Sequence, residues 1–186
     1  MKKIDYNSPV VLTFFLISLC ALLLGIFTSG VTNQLFFSVY RSSLTNPLTY
    51  VRVFTHVLGH GGISHFFNNM MFILLIGPIL EEKYGWKSIL AMILITALAT
   101  GVVFLMLFPN QALLGASGVV FMLIVLASFV NIKQGKIPVT LILITLLYLS
   151  GEIYNSIFVA DNVSQLTHLI GGGCGAIFGF LLNVEN

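Results

Sequence analysis

The residues with the clearest chemical potential are one serine and one histidine, each placed among glycines. Ser117 lies in the tetrapeptide Gly-Ala-Ser-Gly at 115–118, and His168 opens a glycine-rich run that extends to residue 175. A serine at the start of a helix has backbone N–H groups without intrahelical partners beside it. Such a serine, flanked by small residues, suits a nucleophile next to an oxyanion-binding site. On the tetrapeptide alone, close packing of membrane helices through small residues is the favoured explanation.

The spacing around His168 predicts how the two residues could meet. His168, Gly171, Gly175 and Gly179 are separated by three, four and four residues, so they lie along one helical face. A glycine stripe lets its helix pack with backbone against backbone. If the neighbour is the helix that carries Ser117, the histidine is drawn close to the serine.

Three further histidines cluster upstream. His65 and Asn69 are four residues apart and share one face of a predicted helix, and His56 and His60 have the same spacing. His56, His60 and His65 could ligate zinc. However, no Asp, Glu or Cys follows at ligand spacing and the HExxH pattern is absent. The pattern therefore favours hydrogen-bonding roles, and we expect no metal or other cofactor.

The composition places these residues in a membrane protein. Hydrophobic residues make up 58% of the 186 residues and charged residues 8%, whereas soluble proteins have about 25% charged residues. This excludes an ordinary soluble domain and a disordered chain. Eight scattered Lys and Arg at a net charge of +2 do not form a basic face, so no nucleic-acid partner is expected and the lipid bilayer is the expected surrounding.

The apolar runs predict an all-α, polytopic membrane bundle. A spanning helix needs about 20 mostly apolar residues, so the length leaves room for about six spans and no separate soluble domain. Residues 1–186 are therefore predicted to form a single membrane domain. The predicted spans are 9–28, 65–82, 88–108, 113–132, 137–154 and 165–183.

Lysine pairs predict the orientation. They precede the first span and lie in the connections at 83–87 and 133–136. The connections between spans three and four and between spans five and six have no Lys or Arg. The positive-inside rule then places both termini in the cytoplasm. The long, partly apolar loop 29–64, with Arg41 and Arg52 as exceptions, is predicted to lie on the outer side and to fold onto the bilayer surface. A bacterial inner-membrane protein is expected.

Taken together, the motifs resemble the rhomboid family of intramembrane serine proteases. They stand as His-x-x-x-Asn on span two, Gly-Ala-Ser-Gly on span four and His-x-x-Gly on span six, and the likeness runs roughly over residues 50–182. Each motif alone is weak, but their order and sidedness together are specific. The matching residues are His65, Asn69, Gly115, Ser117, Gly118, His168, Gly171 and Gly175.

This resemblance implies a six-helix rhomboid fold and a Ser–His dyad without an acidic third member. Ser117 is then the nucleophile and His168 the general base. The Ser117 backbone N–H and the side chains of His65 and Asn69 are implied as oxyanion donors. Phe121, where the family often has Tyr, is implied to hold the imidazole ring by packing. The implied substrates are transmembrane segments of other proteins, while the oligomeric state is left open.

Other interpretations are a catalytically silent rhomboid-like protein that binds membrane clients, a small transporter and a structural scaffold. The silent protein is expected to lack the serine or the histidine, and both are present. A transporter favours buried charges and repeated halves, whereas Glu152 is the only clear intramembrane acid candidate here and the halves do not match. One departure from the family concerns the loop, where Val51 stands before Arg52 in place of a frequent Trp. The silent, client-binding protein is the main alternative to proteolysis.

Overall fold

The computed structural model describes residues 6–130 and 162–183, and four single positions between them (139, 142, 143 and 146). These residues are mostly helical, and four of their helices are long and apolar enough to cross a membrane. The all-α membrane architecture is thus confirmed. The count of six spans stays a prediction, because span 137–154 lies almost wholly outside the described residues.

The described elements follow one another as seven helices and two short strands, with one 3₁₀ turn. In chain order they are α1 (Pro9–Phe27), α2 (Val31–Phe36), β1 (Val39–Tyr40), α3 (Pro47–Thr55), the 3₁₀ turn (His56–Leu58), α4 (Ile63–Tyr84), α5 (Trp86–Leu107), β2 (Ala112–Leu113), α6 (Ser117–Ser128) and α7 (Asn162–Asn183).

The helix that carries the serine begins later than the sequence predicted. Span four was expected over 113–132, whereas α6 begins at Ser117. The two residues of β2 pair with β1 in antiparallel register, with Leu113 opposite Val39. Gly115 then adopts a φ of 136°, which is open to glycine and strained for other residues. The strand pairing and this turn delay the helix, so the serine becomes its first residue.

The connection between the first two spans, predicted as a loop over 29–64, is a folded unit built from α2, β1, α3 and the 3₁₀ turn. Arg52 lies at its centre and is only 2% exposed. Its guanidinium donates to the Tyr40 hydroxyl at 3.0 Å and to the Ser42 hydroxyl at 2.6 Å. It also lies 4.3 Å from the centre of the Tyr40 ring. This buried cation therefore ties α3 to β1.

Helices α6 and α7 pack with backbone against backbone, as the glycine stripe predicted. A Cβ added at Gly171 would lie 2.9 Å from the Cα of Gly118, and one added at Gly175 would lie 3.1 Å from the Cα of Met122. Gly179 continues the stripe against an aromatic ring of α6's C-terminal end. Because only hydrogen atoms fit in these contacts, glycine sets the spacing of the two helices.

The start of α1 is joined to the end of α4 by a carboxylate. The two oxygens of Glu81 accept hydrogen bonds from the backbone N–H groups of Val10 and Val11, at 2.9 and 3.0 Å. First-turn amides have no partner within their own helix and carry partial positive charge. The buried Glu81 satisfies two of them, and Val11 packs onto Gly77 one turn away on α4.

A methyl group on the glycine stripe is expected to force α6 and α7 apart. We predict that Gly175→Ala lowers the unfolding free energy in micelles by about 1–3 kcal/mol, since the contacting atoms are backbone atoms that cannot move aside. Gly173→Ala is the matched control on the same helix, because no atom of another described element lies within 4 Å of its Cβ position. Thermal unfolding followed by circular dichroism compares the two variants, and equal melting temperatures would contradict this packing.

Replacing Glu81 by glutamine keeps the shape of the side chain but removes its charge and one acceptor oxygen. We predict that Glu81→Gln costs about 1–2 kcal/mol of unfolding free energy, because one α1 amide loses its acceptor. The neighbouring Glu82 is exposed and supplies the control variant Glu82→Gln. Similar losses in both variants, measured by the same unfolding experiment, would show that the carboxylate does not act as a helix cap.

Candidate active site

Ser117 is held at the mouth of α6 by the turn that precedes it. The Gly115 N–H donates to the His56 carbonyl at 2.9 Å. The His65 ring lies directly against this turn, since a Cβ at Gly115 would be 2.7 Å from the ring's Cε1 and 2.8 Å from its Nε2. Only glycine fits between this ring and the turn. Ser117 itself is half-buried, so its hydroxyl group lies near the surface of the bundle.

His168 meets the serine helix through an aromatic contact. Its ring lies 4.2 Å from the Phe121 ring, centre to centre, with 34° between the planes. Phe121 is one turn after Ser117 on α6. The preceding residue, Thr167, packs on Gly118, whose Cβ position is 3.1 Å from the threonine methyl group. The structure thus brings the start of α6 and the histidine of α7 to the same end of the helix pair.

His65 and Asn69 share one face near the start of α4, as their spacing predicted. Asn69 is buried, and its amide nitrogen donates to the His65 carbonyl at 3.1 Å. That nitrogen has a second hydrogen for a further bond. The His65 side chain is exposed and lies within electrostatic range of His168. Both sequence-predicted oxyanion donors are therefore on the element next to the Ser117 turn, and their role stays a prediction.

The supporting residues are the ones that make these approaches possible. Each glycine of the predicted set lies where an added Cβ would be in tight contact or in collision with a neighbour, and the aromatic residue lies against the histidine ring. They are Gly115, Gly118, Gly171, Gly175 and Phe121.

His56 is a positioning residue, and the sequence analysis favoured a hydrogen-bonding role for it without predicting its link to the turn before Ser117. Its ring nitrogens are 3.0 Å from the Val53 carbonyl and 3.3 Å from the Thr100 hydroxyl of α5, and its carbonyl accepts the Gly115 N–H. It therefore links α3, α5 and the turn before the serine. The only signal in the sequence was a second histidine pair with helical spacing.

The zinc hypothesis for His56, His60 and His65 finds no support in the part of the chain that the structure describes. No group of three His, Cys, Asp or Glu side chains there could hold a metal ion. His56 uses both nitrogens in hydrogen bonds, and His60 pairs one with the Leu58 carbonyl at 3.2 Å. These contacts are the hydrogen-bonding roles that the sequence favoured.

Burial keeps the two loop histidines neutral. It lowers the pKa of His56 from 6.5 to about 4, and it lowers the pKa of His60 to about 4 with a smaller contribution from the charge of His65. The unfolded chain binds these two protons at a higher pH than the folded chain does. The contribution of the two neutral histidines to the free energy of unfolding is therefore complete above pH 6.5 and is lost as the pH falls toward 4.

We therefore predict that the melting temperature falls steadily between pH 6.5 and pH 4. A variant with His56→Gln and His60→Gln is expected to start lower, because hydrogen bonds are lost, but to show a flatter pH dependence, because two proton uptakes are gone. Thermal unfolding at several pH values in one detergent measures both slopes. A variant slope as steep as that of the wild type would mean that other groups cause the acid sensitivity.

Comparison with known proteins places this site in a family context. Residues 47–184 match the model of a family described as Rhomboid domain. The chain is also 30% identical over 133 residues, or 68% of its length, to RHOMBOID-like protein 4 of Arabidopsis thaliana. The chain spans about a third of that relative's length, 32%. The family match runs from α3 to the end of α7 and includes every residue of the candidate site, so the chain belongs to the rhomboid family.

Proposed function

We propose that this chain is an intramembrane serine protease that hydrolyses peptide bonds in or near transmembrane segments of other membrane proteins. The observation that carries the proposal is the backbone contact between Gly118 and Gly171, with the His168 ring packed against the Phe121 ring. This contact supports a dyad of Ser117 and His168, because it joins the helices that carry the two residues. Membership of the rhomboid family supports the same function.

The first chemical step is attack of the Ser117 hydroxyl oxygen on a substrate carbonyl carbon. His168 accepts the hydroxyl proton as general base and then returns it to the leaving amine as the peptide C–N bond breaks. The acyl-enzyme that remains is hydrolysed by water, which gives its own proton to the same imidazole. Phe121 packs against the imidazole and restricts its orientation, so we assign it a positioning role.

Negative charge on the substrate oxygen needs donors in the intermediate. The Ser117 N–H is available because a first-turn amide has no intrahelical partner. The His65 side chain beside Gly115 and the second N–H of the Asn69 amide are the other proposed donors. Their loss is expected to slow the reaction by about 10²–10³-fold for one donor.

Hydrolysis also needs water and an accessible scissile bond. Ser117 and His168 are half-buried and His65 is exposed, so other protein elements do not close off this end of the described bundle, as a hydrolytic site requires. Helical substrate carbonyls are already hydrogen-bonded, so the preferred substrates are segments that unwind readily, with small or helix-breaking residues. From the lysine pairs we further propose that both termini are cytoplasmic, that the site opens on the opposite side, and that the host membrane is a bacterial inner membrane.

The dyad predicts the outcome of labelling by a fluorophosphonate probe, which forms a bond with an activated serine. The purified wild-type chain in detergent is expected to react, whereas Ser117→Ala should abolish labelling. His168→Ala should reduce it by at least about a hundredfold, because the general base is lost. Cleavage of a reporter protein with one transmembrane segment is expected to follow the same order.

Ser128→Ala is the matched control, since that serine lies on α6 at the other end and donates to the Ile124 carbonyl at 3.2 Å. Its labelling should equal that of the wild type. If the folded wild-type chain binds a membrane client but neither reacts with the probe nor cleaves the reporter, the protease proposal fails. The alternative, a catalytically silent rhomboid-like protein that binds membrane clients, would then take its place.

A further inference from the structure

A groove of about 290 Å³ lies between the folded loop and the last turns of α5. None of the residues proposed for catalysis lines it. Most of its accessible lining is apolar, from the side chains of α5 and from Leu44 of the loop, and the loop adds one cation and two hydroxyl groups. The lining residues that matter here are Arg41, Ser42, Thr49, Val102 and Met106.

The positive charge of this groove has no acidic partner among the described residues. Arg41 is exposed, and its guanidinium makes no hydrogen bond or ion pair with any of them. Arg52 lies buried behind the groove wall and bonds only to neutral groups. The carboxylates of the described chain, Glu81 and Glu82, lie at the far end of α4. The two arginines therefore leave net positive charge at the groove, which favours an anion.

The Ser42 hydroxyl relays part of this charge to the groove. Its oxygen accepts from the buried Arg52 at 2.6 Å, which leaves its proton free to be donated elsewhere. The Thr49 hydroxyl oxygen lies 2.8 Å away and can accept that proton, because the Thr49 hydroxyl donates its own hydrogen to the Ser43 carbonyl. An anion beside Arg41 can take the Ser42 proton instead. A charge-assisted bond to an anionic oxygen is stronger than one to a neutral hydroxyl.

The apolar side of the groove continues along a membrane-spanning surface. Helix α5 is one of the four candidate spans, and Val102 and Met106 are 39% and 71% exposed. Surfaces of this kind within a span contact lipid acyl chains. A phosphate with an attached chain fits a groove that is cationic at one side and apolar at the other, whereas a free anion would leave the apolar wall unused.

We propose that this groove binds one anionic phospholipid from the leaflet at the Ser117 end of the bundle, with its phosphate on Arg41 and Ser42 and an acyl chain along Val102 and Met106. The bound lipid would fasten the folded loop to α5 beside the bilayer surface. This binding is independent of the proposed protease chemistry, so a failure of one leaves the other untouched.

Native mass spectrometry of the full chain, released from detergent with added dioleoylphosphatidylglycerol, tests the proposal. The wild type is expected to retain one tightly bound lipid, and Arg41→Gln should weaken that binding about tenfold. Lys87→Gln removes an exposed cation at the opposite end of α5 and should leave it unchanged. Equal weakening in both variants would mean general attraction to charge and would overturn the site.

Two further arms separate a lipid from a free anion. Val102→Trp fills the groove and keeps both arginines, so it should weaken lipid binding as Arg41→Gln does. Inorganic phosphate at the same concentration should not displace the lipid. Displacement by phosphate, or full lipid retention in the Val102→Trp variant, would overturn the proposal. The melting temperature of each variant without added lipid confirms that it is folded.

Discussion

The direct backbone contact between α6 and α7 is the constraint on which the rest of the site depends. Helices in a membrane gain little from burying apolar surface, so close van der Waals approach has to hold them together. Gly118 facing Gly171, and Gly175 facing the Met122 backbone, give that approach. A side chain at any of these positions would separate the helices and carry His168 away from the start of α6.

A second set of ties fixes the serine end of α6 from outside the helix pair. The strand pairing of β2 with β1, the Gly115 bond to His56 and the His65 ring each hold the turn before Ser117 from a different side. The folded loop is therefore part of the site's frame. Its own rigidity rests on Arg52, whose buried charge is balanced by neutral acceptors and an aromatic ring.

Residue spacing was sufficient to predict which faces meet, because helical periodicity shows which side of a helix is smooth. The stripe behind His168 therefore predicted the packing of α7 on α6, and the pair His65 and Asn69 predicted a shared face. Periodicity does not show what lies opposite a loop. The late start of α6 at Ser117 depends on a strand pairing between segments some seventy residues apart, and two-residue strands leave no pattern in a sequence. The anchoring role of His56 was missed for the same reason.

The carboxylate of Glu81 gives the first helix an N-terminal cap that its own side chains do not supply. Helix α1 precedes the segment that matches the family, yet two backbone N–H groups of its first turn donate hydrogen bonds to a side chain within that segment. Its start is locked to the end of α4, and the two helices run antiparallel along this contact. In a bilayer thicker or thinner than its apolar length, a lone helix adjusts by tilting. Here α1 and α4 have to tilt together, so an adjustment to bilayer thickness moves the pair as one unit.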